Sequence, residues 1–193
     1  MARVEPLPTR AWPREMRAAF EALVPPVPTH PPLVQEGRPQ GLNALGTFAH
    51  HPELARAFFT FNGYVLRGTT LTPRQREILI LRVSAVCGSD YQWAQHVLAA
   101  QDTGLGAEDV ERVAAGPDPD HWDALDTALM RAADELLADG TISDPTWAAL
   151  AAELDTRQIM DVIFSVSAFQ AVARLFRAFG VELDDDLKRA VGR

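Results

Sequence analysis

The stretch 87-CGSDYQWAQH-96 brings together a thiol, a serine hydroxyl, a carboxylate, two amides, two aromatic side chains and an imidazole. Ser89, Gln92 and His96 recur at i, i+3 and i+7, so they share one face of a helix. Ser89 and Gln92 lie at its amino end, where unpaired backbone N–H groups and the helix dipole favour negative charge. A carboxylate or enolate held there would meet His96 further along the same face, acting as acid or base. The same two residues also fit a reciprocal cap, in which each side chain satisfies the other's backbone N–H. Both readings stand on the sequence. Tyr91 and Trp93 either line a pocket or simply pack.

Glu77 is the second candidate, set in the apolar run 76-REILILRV-83. A carboxylate there needs a partner, or desolvation raises its pKa. Arg76, Arg82 and His96 are the available partners; an edge glutamate or a structural ion pair is the plainer alternative. Cys87 precedes Gly88 at a helix end, where the dipole disfavours a thiolate, so it reads as a small buried apolar residue. His50 and His51 are adjacent and cannot share a helical face, so no metal site is expected.

The elements that must position these groups are helical throughout, with no strand alternation, and predict an all-α protein. Residues 25–40, PPVPTHPPLVQEGRPQ, carry too many prolines for a helix or sheet interior and read as an extended arm. The arm follows a first helix over about 13–23, giving an expected boundary between 1–41 and a main body at 42–193. Helices are expected from Pro52 to about Leu66, and from the capping box 72-TPRQ-75 onward, the latter apolar nearly all round and deeply buried. Further helices are expected from Ser89, over 107–115, from Asp118-Pro119, from Asp144-Pro145, and from 155-DTRQ-158 to about Phe179. The tail 181–193 reads as charged and peripheral.

Composition limits the function. The chain of 193 residues has a net charge of −8, 47% hydrophobic and 23% charged residues. Nucleic-acid and anionic-membrane binders need basic surfaces, so neither partner is expected. A single cysteine rules out an internal disulfide and a cysteine-cluster zinc site. No signal peptide or membrane-length apolar run is evident, and a cytoplasmic location is expected.

The run 76-REILILRVSAVCGSDYQWAQHVLAAQDTGL-105 resembles the carboxymuconolactone decarboxylase family, which includes the AhpD-like alkylhydroperoxidases; the likeness extends over roughly 45–115. In the redox branch two cysteines lie seven and four residues before the histidine, and a glutamate nineteen before. Here those positions are Ser89, Gln92 and Glu77, so the glutamate and histidine are kept and both thiols are replaced. Cys87 is two residues off the nucleophile position. Dithiol chemistry needs one thiol to attack and a second to resolve the sulfenate.

The resemblance therefore implies an AhpD-like helical bundle of the branch without paired cysteines. It implies a cofactor-independent decarboxylase or lyase acting on a small lactone, keto acid or aromatic precursor. His96 and Glu77 would be catalytic, with Ser89, Gln92, Tyr91, Trp93 and Arg82 binding substrate in a pocket between the two helices. A homo-oligomer is expected, as a dimer, trimer or hexamer. The alternatives are an alkylhydroperoxidase-like protein with degenerate thiols and a non-catalytic ligand-binding oligomer.

Overall fold

The computed structural model describes residues 2–31, 38–117 and 120–192, and every α or 3-10 element among them is a helix, with no strand. Two compact units are present: Met1–Thr69 together with Arg174–Arg193, and Thr70–Ala173. The α-helices are α1 (Glu15–Glu21), α2 (Leu42–Phe48), α3 (Pro52–Arg67), α4 (Pro73–Cys87), α5 (Asp90–Ala100), α6 (Ala107–Ala115), α7 (Ala124–Ala138), α8 (Asp144–Glu153), α9 (Thr156–Phe179) and α10 (Asp185–Ala190).

In the first unit α3 packs against α1 and α2. Phe48, Phe58 and Phe59 form an aromatic cluster whose centroids lie 5.0–6.2 Å apart, the spacing of edge-on and offset ring pairs. The C-terminal segment is more than a peripheral tail. Leu187 is fully buried, and Asp184 accepts a hydrogen bond from Asn43 N at the start of α2 (2.8 Å). Part of the proline-rich arm, 32–37, lies outside the described residues.

The second unit is built on α4, which packs against α5, α6 and α7, while α7 also carries α8. Thr72 and Gln75 form the expected capping box, with Pro73 at the first helical position. Ile78, Leu79, Ile80, Leu81 and Val83 are completely buried. Burying each such side chain stabilises the fold by about 1.5–3 kcal/mol. Asp155 and Gln158 cap α9 reciprocally, at 2.9 and 2.8 Å.

Two expectations need correction. The Asp118-Pro119 start lies outside the described residues, and the helix expected from it begins at Ala124. There Asp123 accepts from Asp126 N and supplies the cap. The other concerns α9, which is long and apolar enough to cross a membrane by length and composition. More than half of its most apolar stretch is buried in the protein, as in a core helix.

Just ahead of α4, the Asp161 carboxylate accepts from Thr70 N (2.6 Å) and Thr70 Oγ1 (2.7 Å), tying the entry of α4 to α9. Asp161→Ala would leave a part-buried backbone N–H without this acceptor. We expect a loss of about 1–3 kcal/mol in urea unfolding, with the denaturant slope unchanged. An unshifted midpoint would show that α4 is anchored without this tie.

Candidate active site

Glu77 lies on the buried face of α4 at 0% exposure, where an unbalanced charge would be prohibitive. Its two oxygens are shared out. Oε2 lies 2.7 Å from His96 Nδ1 on α5, and Oε1 accepts from Arg76 Nε at 3.3 Å. Arg76 is itself only 2% exposed. The His96 ring meets Phe169 of α9 edge to face, with centroids 5.1 Å apart and planes at 88°. Packing and hydrogen bonding together hold the imidazole in place.

Burial alone would push the Glu77 carboxyl above its ordinary value. The positive charges and hydrogen bonds of His96 and then Arg76 outweigh it, holding the group below the ordinary value and hence ionised near neutrality. An ionised carboxylate only accepts, so His96 Nδ1 carries the proton that it donates to Oε2. The other nitrogen, Nε2, makes no hydrogen bond among the described residues and is the one able to exchange a proton. With Arg76 and Glu77 cancelling, a protonated His96 leaves one positive charge, which an anion beside it would balance.

The turn between α4 and α5 explains how the residues meet. Gly88 adopts φ 61°, ψ 41°, a left-handed conformation that glycine enters without a Cβ penalty. Gly88 N donates to Ala85 O and Ser89 N to Ser84 O, at 3.1 and 2.9 Å, which closes the helix end and folds α5 back along α4.

That turn also decides between the two readings of Ser89 and Gln92. The reciprocal cap does not form. Ser89 N–H is spent on Ser84 O, and the Ser89 side chain makes no capping hydrogen bond. Gln92 is drawn inward, its Nε2 donating to Ser84 Oγ at 2.9 Å. Ser89 and Gln92 are 2% and 1% exposed, and Ser89 Oγ and Gln92 Oε1 are buried without a protein partner. They lie on the α5 face that carries His96.

Arg82 does not join this set. Its guanidinium makes a two-pronged contact with Asp134 of α7, at 2.6 and 2.9 Å, and donates to the carbonyls of Val113 and Ala114 on α6. It ties α4, α6 and α7 together, whereas the resemblance implied a place beside substrate. Tyr91 is buried and Trp93 half-buried. They flank Gln92 in sequence, so neither shares its direction from α5. Cys87 is half-buried at the end of α4 and was expected to be buried.

Ser84, Ser165 and Phe169 were not singled out from the sequence. Phe169 belongs to the apolar stripe of α9, but nothing local marks it as the ring against His96. Ser165 lies one turn before it, buried and with Oγ unpartnered. An open groove of about 490 Å³ lies elsewhere, lined by Arg112, Ala115, Gly116, Pro117 and His121.

Helices α4 and α5, folded on one another around a buried carboxylate–imidazole pair, define an all-α protein of the AhpD-like fold. Residues 52–135 match the Carboxymuconolactone decarboxylase family. Both Glu77 and His96 fall inside that segment, and the chain lacks the paired cysteines of the redox branch.

Among solved structures, an uncharacterised peroxidase-related protein from Silicibacter sp. TM1040 is similar at TM-score 0.69 and 18% identity, covering 84% of this chain and 95% of that one. An AhpD-core, peroxidase-related protein from Ralstonia eutropha JMP134 gives TM-score 0.65 and 21% identity, over 75% and 78% of the two chains. The debrominase Bmp8 gives TM-score 0.70 and 15% identity over 98% and 96%. At these identities the likeness is one of fold. No curated protein matches the chain.

The depressed carboxyl sets an acid limit. Because the folded value of Glu77 lies below its ordinary 4.5, its stabilising contribution is complete above that pH and is lost as pH falls through the folded value. Thermal melts of the parent should therefore fall on acidification below about pH 4.5 more steeply than those of Glu77→Gln. Parallel curves for the two proteins would contradict the assignment of an ionised, partnered Glu77.

Proposed function

We propose that the protein is a cofactor-independent acid–base enzyme, a decarboxylase or lyase of the carboxymuconolactone decarboxylase type. Its substrate is a small lactone, keto acid or aromatic precursor, bound in a pocket between α4 and α5. The observation that carries this reading is the buried 2.7 Å contact between His96 Nδ1 and Glu77 Oε2, which engages Nδ1 and leaves Nε2 as the proton carrier. Loss of CO2 leaves an electron pair that the substrate's own carbonyl or ring takes up. His96 Nε2–H then gives a proton to that carbon, and the imidazole recovers one from water. Glu77 positions the ring and stabilises the imidazolium.

The thiol alternative has less support. A peroxidase cycle of the dithiol kind needs a second sulfur, and the chain has one cysteine. Dehalogenation is not carried over from Bmp8 either, since the shared property is the fold. We further propose a homo-oligomer in the cytoplasm. Val86, Trp147, Met160 and Phe164 leave large apolar groups exposed in the second unit, with Met160 and Phe164 one turn apart on α9.

Activity should be followed as CO2 release or lactone loss across a small substrate panel. His96→Gln is expected to keep the fold and lower turnover about 10²–10⁴-fold. Glu77→Gln should cost less and displace the pH–rate profile, while Cys87→Ser should leave turnover nearly intact. Equal turnover in the parent and His96→Gln would remove His96 from the chemistry. Peroxidase turnover lost in Cys87→Ser would favour the thiol reading instead. Light scattering at micromolar concentration should give a multiple of the chain mass; a monomer would refute the oligomer.

A further inference from the structure

Two buried side-chain hydrogen bonds, from His96 to Glu77 and from Gln92 to Ser84, both run from α5 to α4, and that direction constrains what the site can hold. Ser84 Oγ donates its single proton to Ile80 O, at 2.7 Å, and a carbonyl cannot return one. The group facing Ser84 Oγ from α5 must therefore be a donor, and Gln92 meets that demand with Nε2 at 2.9 Å. Turning the amide over would set two acceptors against each other. The position of Oε1 is thus decided by Ser84, and Oε1 is left buried with no protein donor. Buried polar groups in native proteins are almost always satisfied, so this acceptor points to a ligand that supplies a proton.

We propose that Gln92 Oε1 accepts a hydrogen bond from the substrate, which presents a neutral O–H or N–H there: an enol, a phenol or a ring N–H. Gln92 is one helical turn from His96 on the same face, so the donor lies beside the centre that exchanges a proton with Nε2. A carboxylate at this point would face a carbonyl lone pair and is disfavoured. This replaces the expectation that Ser89 and Gln92 jointly hold an anion. Ser89 Oγ can donate or accept, so Gln92 alone sets the preference. Ser84 does not touch the ligand; it is a positioning residue acting through the amide. The inference rests on the acid–base reading of the site and narrows its substrate class.

Phenol, anisole and benzoate share a ring and present a donor, an acceptor and an anion. Each should be titrated into the full-length protein at pH 7, following the Gln92 side-chain amide and the His96 ring by NMR. Phenol should bind about tenfold more tightly than anisole, as one hydrogen bond allows, and benzoate most weakly. In Ser84→Ala the amide is free to turn, so the preference for phenol over anisole should shrink to about threefold or less. In Gln92→Met the preference should be lost through weaker phenol binding, with anisole unchanged. Anisole or benzoate binding as well as phenol, no response to phenol, or a preference that survives both substitutions would each overturn the proposal. The parent titration decides without any variant having to fold. Donor preference with no turnover would sink the acid–base reading alone. His96-dependent turnover without donor preference would sink only this inference.

Discussion

Glu77 is a carboxylate with no exposed surface, and the arrangement of the second unit follows from the need to balance it. Arg76 answers one oxygen and His96 the other, so the charge is countered from α4 itself and from α5. The demand is severe because charge is poorly tolerated in a low-dielectric interior, while breaking a buried pair by removing one partner is far more costly than never having made it. The pair therefore constrains the fold as well as the chemistry. α5 must lie where His96 reaches Oε2, and the turn at Gly88 is the device that puts it there.

The positions that hold two thiols in redox relatives are filled here by groups that cannot be oxidised in that way. Their replacement is more than a loss. Serine and glutamine bring hydrogen-bonding capacity into a buried space, and part of that capacity is unused among the described residues. Ser84 determines which part. One hydroxyl committed to its own helix backbone sets the orientation of an amide on the next helix. The polarity of the whole face is thereby settled without a charged residue.

Arg82 shows the complementary case. As a cation on an apolar helix it is an obvious candidate for holding an anionic substrate, yet it grips Asp134 and two carbonyls at the end of α6. A guanidinium has a planar fork of donors, and a carboxylate with backbone carbonyls nearby fills that fork well. It braces the helices that hold the site.

Much of the fold was legible in the sequence because local rules write it there. The box at Thr72 and Gln75, the cap at Asp155 and Gln158, and the prolines at helix starts depend on neighbours within one turn. The apolar character of 78–83 likewise announced a buried helix before any partner was known. The Glu77–His96 pairing was legible from the family-like spacing, which carries a tertiary contact within a sequence interval. What the sequence left open was decided by partners distant along the chain. Ser89 and Gln92 satisfy a capping pattern, and only the bond from Ser89 N–H to Ser84 O, with the pull of Ser84 on the amide, shows that the cap is not made. Whether Arg82 served substrate or scaffold turned on Asp134, fifty-two positions away. Phe169 became the wall of the imidazole because α9 packs there. Caps and periodicity are short-range and can be read one segment at a time. The direction of a buried hydrogen bond and the partner of a buried charge depend on which groups the folded chain brings within 3 Å, and that is a property of the packing alone.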